Sequence, residues 1–235
     1  MYKIKTIVGK GFADFAKNEM VILYDDVNDI IQKKYPHDKN VKYDLGQGVS
    51  EHKINQLIRK AEKNGLRDFL LFDEVKKCQR SHVHKVDIRN SMLSVPIEID
   101  KNTYESNIHI DDENELMSDH VTGQHLQGML LIEACRQMFL AVTEEYFSKN
   151  EKEIMSFAWT RGDVEFNDYA FPVSTIIRLY ISHMENSKKG RRKYTTNMEV
   201  IQKNCLVCTS IMEYETIPKK VTSRRETILA YASVT

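Results

Sequence analysis

The sequence predicts an α+β fold in which a run of antiparallel strands surrounds one long buried helix, with a small α/β domain in front. Two observations predict it. The segment 124–147 is apolar nearly all round at helical spacing and contains no proline, which is typical of a buried helix. The segments on both sides of it alternate or are rich in β-branched residues, which is typical of strands. One helix within a series of strands indicates a sheet that packs on a single helix.

Length and composition are those of a globular protein. The 235 residues are 41% hydrophobic and 29% charged, with 9 Gly and 4 Pro, which excludes a collagen-like, low-complexity or disordered chain. Lys+Arg and Asp+Glu both number 34, so the positive excess typical of nucleic-acid binding is missing and no such partner is expected.

Targeting signals and cysteines point to the cytoplasm. The first residues lack a signal-peptide pattern, and no stretch reaches the roughly 18 apolar residues that span a membrane. Four cysteines in a chain of this size make no disulfide framework. We therefore expect a cytoplasmic protein without a membrane span.

Residues 1–76 are predicted to form the small α/β domain. Strands are predicted at Lys3–Val8, 21–24 and 69–72, and helices at 25–35 and from a Ser50 cap to Gly65. Gly9-x-Gly11 lacks the further residues of a phosphate-binding loop and is interpreted as a plain turn. The polar stretch 76–81 is the predicted linker.

Residues 77–235 contain the predicted sheet and its helix. Strands are predicted at 83–99, 104–110, 154–159, 163–170, 175–184 and 193–215, the last being long enough for two. Asp100-Lys101-Asn102 is the predicted turn between the first two of these strands.

Three polar residues, Glu133, Arg136 and Gln137, interrupt the apolar helix. Their spacing places them on one helix face. Burial raises the pKa of a carboxyl group, and a neighbouring arginine lowers it. The pattern fits a catalytic carboxylate and equally a structural ion pair that fixes the sheet onto the helix.

The helix and the residues before it resemble a known family. The matching motifs are Val83-His84-Lys85, His125-x-x-Gly128-Met129 and Glu133-Ala134-x-Arg136-Gln137. Over about residues 82–235 they resemble the A-factor biosynthesis hotdog family. More distantly, the helix is similar to that of the hydroxyacyl-carrier-protein dehydratases, which have proline where this chain has Gln127.

The resemblance implies a hotdog fold, a curved antiparallel sheet wrapped around the long helix, and an enzyme that needs no cofactor. Its substrates would be β-ketoacyl thioesters of an acyl carrier protein or CoA. Condensation of the acyl group with a three-carbon phosphate, in a γ-butyrolactone-like signal or specialised lipid pathway, is the implied reaction. Dehydration or thioester hydrolysis is the alternative, and so is a catalytically silent hotdog that binds an acyl ligand or a partner protein.

The resemblance also implies roles for single residues. Backbone N–H groups at Gly128, at the helix N-terminus, would polarise a thioester carbonyl. Glu133 would exchange a proton, and Arg136 would hold a phosphate or orient the carboxylate. The predicted catalytic residues are Glu133, Arg136, His125 and His120. The predicted substrate-binding residues are Gly128, Gln127, Gln137, His84 and Lys85.

The number of hotdog units sets an expectation for assembly. The lactone-building enzymes of the family resemble two hotdog units in one chain, whereas this chain has one Glu-x-x-Arg-Gln motif. A homodimer would restore the two-unit arrangement, and we expect one.

Three further patterns carry weaker hypotheses. A basic run of Lys188, Lys189, Arg191, Arg192 and Lys193 is either a solvated hairpin or a docking surface for an acidic acyl carrier protein. His82-x-His84 has no supporting ligand at a suitable spacing, so no metal is expected. Cys205-x-x-Cys208 has no second pair and is interpreted as small residues of a strand.

Overall fold

The computed structural model describes residues 2–33, 40–118, 123–148, 153–187 and 190–234. The strands are β1 (Lys3–Val8), β2 (Val21–Leu23), β3 (Val41–Leu45), β4 (Ile97–Asp100), β5 (Thr103–Ile108), β6 (Met155–Phe166), β7 (Thr175–Asn186), β8 (Arg192–Gln202) and β9 (Cys205–Pro218). The helices are α1 (Tyr24–Lys33), α2 (Glu51–Lys63), α3 (Glu115–Ser118), α4 (Gly128–Val142) and α5 (Lys219–Ala232).

The N-terminal unit is a parallel three-stranded sheet in the order β2-β1-β3, packed with α1 and α2. The Ser50 hydroxyl accepts a hydrogen bond from the Lys53 N–H at 3.4 Å and caps α2 as predicted. The predicted strand 69–72 is wrong. Only Leu70 forms a bridge there, to Tyr43, because a 3-10 turn at Arg67–Phe69 bends the chain. The third strand is β3, which was not predicted from the sequence.

The second unit is a six-stranded antiparallel sheet in the order β4-β5-β7-β8-β9-β6. Helix α4 contacts β5, β6, β7 and β8, and its buried residues form the centre of the larger core. This arrangement confirms the α+β prediction. The helix begins at Gly128 rather than at 124, and it continues as a π-helical turn over Thr143–Ser148. The Thr143 hydroxyl donates to the Phe139 carbonyl at 2.7 Å, a side-chain bond that competes with regular helix geometry.

Several predicted strands have other boundaries. The strand at 83–99 is wrong over most of its length, because only Ile97–Asp100 pairs regularly and Asp87 caps a 3-10 turn at Ile88–Asn90. The segments 154–159 and 163–170 are one strand, β6, which has a bulge between Trp159 and Arg161 and ends at Phe166. The segment 193–215 is two strands, β8 and β9. Helix α5 was not expected.

The two units are packed against each other. The Gln47 side-chain amide donates to the carbonyls of Ile108 and Val173 at 2.9 and 3.1 Å and accepts from the Ile110 N–H at 2.8 Å. Lys77 and Cys78 are buried, so the predicted linker is a packed segment. The domain boundary at 76 stays a prediction. In the described part of the chain, no helix combines the length and apolarity that crossing a membrane requires.

Candidate functional site

A cleft of about 510 Å³ lies at the N-terminus of α4. It is lined by His125, Leu126, Gly128, Leu131, Phe166, Asn167, Asp168, Tyr169 and Ala170. The Leu130 N–H bonds to the Gln127 carbonyl at 3.1 Å. The N–H groups of Gly128 and Met129 precede this first bond, and such groups are the natural donors to an anion or carbonyl oxygen.

Gly128 permits a close approach of β6 to the helix. A Cβ atom at this position would lie 2.7 Å from Cζ of Phe166, so any other residue would displace the ring or the helix. Phe166 is the final residue of β6, which is an edge strand of the sheet. The cleft therefore lies at an open edge of the sheet.

His125 is positioned by both its backbone neighbour and its ring contact. The Leu126 N–H donates to the Ala170 carbonyl at 2.7 Å. The imidazole packs edge-on against Tyr169, with 5.3 Å between ring centroids. His125 and Gly128, two of the predicted site residues, thus line the same cleft. His120, the other predicted catalytic histidine, lies outside the described residues.

Glu133 lies in an ion cluster with Lys85, Arg136 and Gln137. Its Oε2 accepts from Arg136 Nε at 2.7 Å, and its Oε1 accepts from Arg136 Nη2 at 2.8 Å. Oε1 also lies 2.8 Å from Lys85 Nζ and 3.0 Å from Gln137 Nε2. Burial by itself would raise the pKa of the Glu133 carboxyl, but these hydrogen bonds outweigh it and lower the pKa to about 2. The group is therefore ionised at neutral pH and cannot donate a proton there.

The two glutamines predicted to bind substrate are engaged within the protein. Gln137 is fully buried. Its amide also donates to the Asn90 carbonyl at 2.8 Å and accepts from the Met92 N–H at 2.9 Å, which fastens α4 to the segment before β4. The Gln127 amide donates to the Leu116 carbonyl in α3.

The Glu133 cluster and the cleft lie on different faces of α4. Gly128 and Leu131 face the cleft, and Glu133 follows Leu131 by two residues, which turns it about 200° around the helix axis. Glu133, Arg136 and Lys85 are absent from the lining of the cleft. Within one copy of the chain, the predicted site residues therefore form two separate groups, one at the cleft and one around Glu133.

The His84 side chain faces the π-helical turn that follows α4. Its Nε2 is 3.0 Å from Glu144 Oε1, and its ring packs edge-on against Phe157 at 4.9 Å. His82 Nδ1 lies 3.5 Å from Glu145 Oε2. Each of the two histidines faces its own carboxylate, so the pair does not converge on one point.

The basic run is partly engaged in the fold. Lys188 and Lys189 lie outside the described residues. Arg192 donates to the Phe147 carbonyl at 2.9 Å, and Lys193 lies 3.6 Å from Glu215. Among the described residues of the run, Arg191 differs from these two, because the structure shows no hydrogen bond or ion pair of its side chain.

The aromatic walls of the cleft, Phe166 and Tyr169, were not predicted from the sequence. The segment 163–170 was predicted to be a strand, although Asn167-Asp168 is a typical turn pair. Recognising that turn would have ended the strand at Phe166 and left an aromatic side chain on each side of a bend.

An antiparallel sheet packed on one central helix, with a cleft at the helix N-terminus, defines a hotdog protein. The profile of the A-factor biosynthesis hotdog domain matches residues 72–218, more than half of the chain. The chain therefore belongs to this family, which confirms the family and the fold that the sequence motifs predicted.

Solved structures with a similar fold share little sequence with the chain. A putative thioesterase from Shewanella oneidensis is 6% identical with a TM-score of 0.40, covering 54% of this chain and 84% of that one. A putative thioesterase from Ralstonia eutropha, described as related to phenylacetic acid degradation, is 18% identical with a TM-score of 0.37, covering 52% and 83%. A thioesterase mutant from Staphylococcus aureus is 11% identical with a TM-score of 0.40, covering 54% and 93%. Likenesses of this size carry no argument about activity. No curated protein matches the chain.

Proposed function

We propose that the protein is an acyl-thioester enzyme that transfers a β-ketoacyl chain from an acyl carrier protein or CoA to a three-carbon phosphate, in a γ-butyrolactone-like signal or specialised lipid pathway. One observation carries the proposal. His125 and the Gly128 backbone line one cleft at a helix N-terminus, in a chain that belongs to the A-factor biosynthesis hotdog domain family.

The cleft supports acyl transfer in a simple way. The thioester carbonyl oxygen accepts hydrogen bonds from the N–H groups at Gly128, where the helix dipole also favours negative charge. A hydroxyl of the acceptor attacks the carbonyl carbon while His125 accepts the hydroxyl proton. The C–S bond then breaks, and the leaving sulfur takes that proton.

The Glu133 cluster suits the phosphate of the acceptor. Lys85 and Arg136 together exceed the charge of Glu133 by one positive charge, and a guanidinium matches the geometry of phosphate oxygens. Because the cluster faces away from the cleft of its own chain, we propose that it serves the cleft of a second copy. The open β6 edge beside the cleft supports this arrangement, since pairing along it covers an unpaired strand.

We expect a homodimer at micromolar concentration. The Asn167 N–H bonds to the Val207 carbonyl of β9, and N–H groups alternate in direction along a strand, so the Val164 N–H points away from β9. Replacing Val164 in β6 by proline removes this N–H from the proposed interface and should shift the protein towards monomer in light scattering. Ile99→Pro is the matched control, because Ile99 lies in the bulge of β4 at the opposite edge of the sheet. A monomeric wild type, or equal behaviour of the two variants when both are folded, would contradict pairing along β6.

Arg191 tests docking of an acidic carrier protein. Arg191→Glu should raise KM for a carrier-bound thioester by about threefold to tenfold at low salt, because rim charges mainly change the rate of encounter. An acyl-pantetheine substrate has no acidic surface and should keep its KM. Added salt should reduce the difference between the two proteins. If the wild type and Arg191→Glu have equal kinetics with both substrates at low salt, the basic run is a solvated hairpin.

Thioester hydrolysis is the second candidate function, because His125 could activate water in the same cleft. Dehydration is less well supported. It requires an acid that protonates the departing hydroxyl, and Glu133, with a pKa lowered to about 2, is ionised at neutral pH.

Product analysis distinguishes these reactions. The protein is incubated with a β-ketoacyl thioester of acyl carrier protein, with and without dihydroxyacetone phosphate or glycerol 3-phosphate, and the products are identified by mass spectrometry. An acylated three-carbon phosphate supports the proposal. Free acid indicates a thioesterase, an unsaturated product indicates a dehydratase, and unchanged thioester indicates a catalytically silent binding protein.

A further inference from the structure

A second cleft, of about 730 Å³, lies between the N-terminal unit and the sheet. Residues on one side belong to the segment 14–18, and those on the other to 168–173 and 202–207, with Gln124 completing the lining. Its volume is within the range of about 300–1,000 Å³ that is usual for small-molecule sites. We name it the interdomain cleft.

The interdomain cleft adjoins the proposed reaction site. Asp168 and Tyr169 line both the interdomain cleft and the cleft at the N-terminus of α4. The two clefts are therefore adjacent, and Asp168 and Tyr169 lie between them.

The walls of the interdomain cleft are apolar and aromatic. The rings of Phe15 and Phe171 stack with 5.7 Å between centroids and 17° between planes. Tyr169 is 67% exposed and Phe171 is 40% exposed. Val173 and Val207 add aliphatic surface. Contiguous exposed apolar surface of this kind is typical of a binding site.

The walls are also held in place. The Gln202 side-chain amide donates to the Phe171 carbonyl at 2.7 Å and accepts from the Phe171 N–H at 3.0 Å. The Phe15 N–H donates to the Gly123 carbonyl at 3.0 Å. A wall fixed in this way loses little conformational entropy when a ligand binds.

The charge of the interdomain cleft favours an uncharged occupant. Asp14 and Lys17 at its rim form an ion pair at 2.7 Å and neutralise each other. The Asp168 carboxylate accepts from the Tyr169 N–H at 2.7 Å. Asp168 and Lys203 add one charge of each sign, so the four charged side chains of the lining carry no net charge.

We propose that the interdomain cleft holds the apolar chain of the acyl thioester and that the N-terminal unit, through Phe15, forms one of its walls. The inference rests on the proposed function, since it is the thioester at Gly128 that directs the chain past Tyr169. It gives the N-terminal unit a role in ligand binding: it selects substrates with a long chain over those with a short one.

The test uses S-butyl-CoA and S-dodecyl-CoA, thioethers that cannot be hydrolysed, with affinities measured by isothermal titration calorimetry on the full chain. We expect the dodecyl compound to bind at least about tenfold more tightly, because each buried methylene adds to the affinity. Phe15→Ala should remove most of this ratio and leave the affinity for the butyl compound unchanged. Phe69→Ala, in the other core of the N-terminal unit, is the matched control and should keep the ratio.

A second variant guards against misfolding of Phe15→Ala. Cys205 is exposed and lines the interdomain cleft, so Cys205→Trp places an indole in the cleft without disturbing the core. It should lower the affinity for the dodecyl compound to that for the butyl compound, whereas Cys205→Ser should not.

The outcomes separate the inference from the proposed function. If both compounds bind the wild type equally, or if the chain-length ratio survives in both Phe15→Ala and Cys205→Trp, the chain lies elsewhere and the inference is overturned while the proposed function stands. If neither compound binds the wild type, the dodecyl chain finds no site in the interdomain cleft and the inference is overturned, while the proposed function is decided separately by the product analysis.

Discussion

Replacing His125 by asparagine is expected to lower kcat for thioester turnover by about 10²–10⁴-fold, the usual contribution of a general base. Asparagine can still form hydrogen bonds in the cleft, but it cannot accept a proton from the attacking hydroxyl. KM should change little, because the walls that bind the substrate remain. The measurement is steady-state kinetics on the substrate identified by product analysis.

His183→Asn is the matched control, because His183 is an exposed histidine on β7 that is absent from the lining of the α4 cleft. It should keep wild-type kinetics. If His125→Asn retains kcat within about threefold of the wild type, the proton is transferred by another group, and the proposed role of His125 is wrong.

Replacing Glu133 by glutamine is expected to have the largest effect on stability. A pKa that falls from the ordinary 4.5 to about 2 in the folded protein corresponds to roughly 3 kcal/mol, at about 1.36 kcal/mol per unit. The Glu133 side chain is only 14% exposed, so solvent screens the cluster weakly. At pH 7 the variant should be less stable by about this amount in denaturant unfolding.

The direction of the Glu133 pKa shift determines how its contribution to stability depends on pH. The folded protein depresses the pKa of Glu133, so the stabilisation is complete above about pH 4.5 and is lost as the pH falls towards 2. The difference between wild type and Glu133→Gln should therefore shrink over this interval. Glu19→Gln is the control, because the Glu19 side chain is 81% exposed, and it should match the wild type throughout. A constant difference between wild type and Glu133→Gln from pH 7 to pH 2 would contradict an ionised, donor-held carboxylate.

Activity of Glu133→Gln separates its two proposed roles. Under conditions in which the variant is folded, a catalytic or phosphate-positioning role predicts loss of turnover. Turnover close to that of the wild type would make Glu133 a structural partner of Lys85 and Arg136.

The sequence predicted those features that depend on local spacing. The shared face of Glu133, Arg136 and Gln137 follows from helix geometry alone, and the structure shows their hydrogen bonds. The Ser50 cap and the turn at Asp100-Lys101-Asn102 are local patterns of the same kind. The start of α4 was placed too early, because the Leu126 N–H bonds to the Ala170 carbonyl, in the loop between β6 and β7, and not to a carbonyl of the same helix.

The sequence could not predict contacts between distant segments. Lys85 lies 2.8 Å from Glu133 only because the irregular segment 83–96 crosses α4, and that segment was interpreted as a strand. Its β-branched residues suggested pairing, whereas the Asp87 cap and the Gln137 hydrogen bonds hold it in turns. The approach of Phe166 to Gly128 depends likewise on which strand ends the sheet, which no local pattern records.

The central claim is that a thioester carbonyl binds at the N-terminus of α4, and the Gly128 N–H reports on it directly. The chain has nine glycines, so selective ¹⁵N-glycine labelling gives at most nine backbone amide signals. Titration with a non-hydrolysable acyl-pantetheine thioether with a ketone carbonyl in place of the thioester carbonyl should shift the Gly128 signal most. Gly65 and Gly190, which lie outside both clefts, should not move. Saturable binding that leaves the Gly128 signal unchanged would contradict the account.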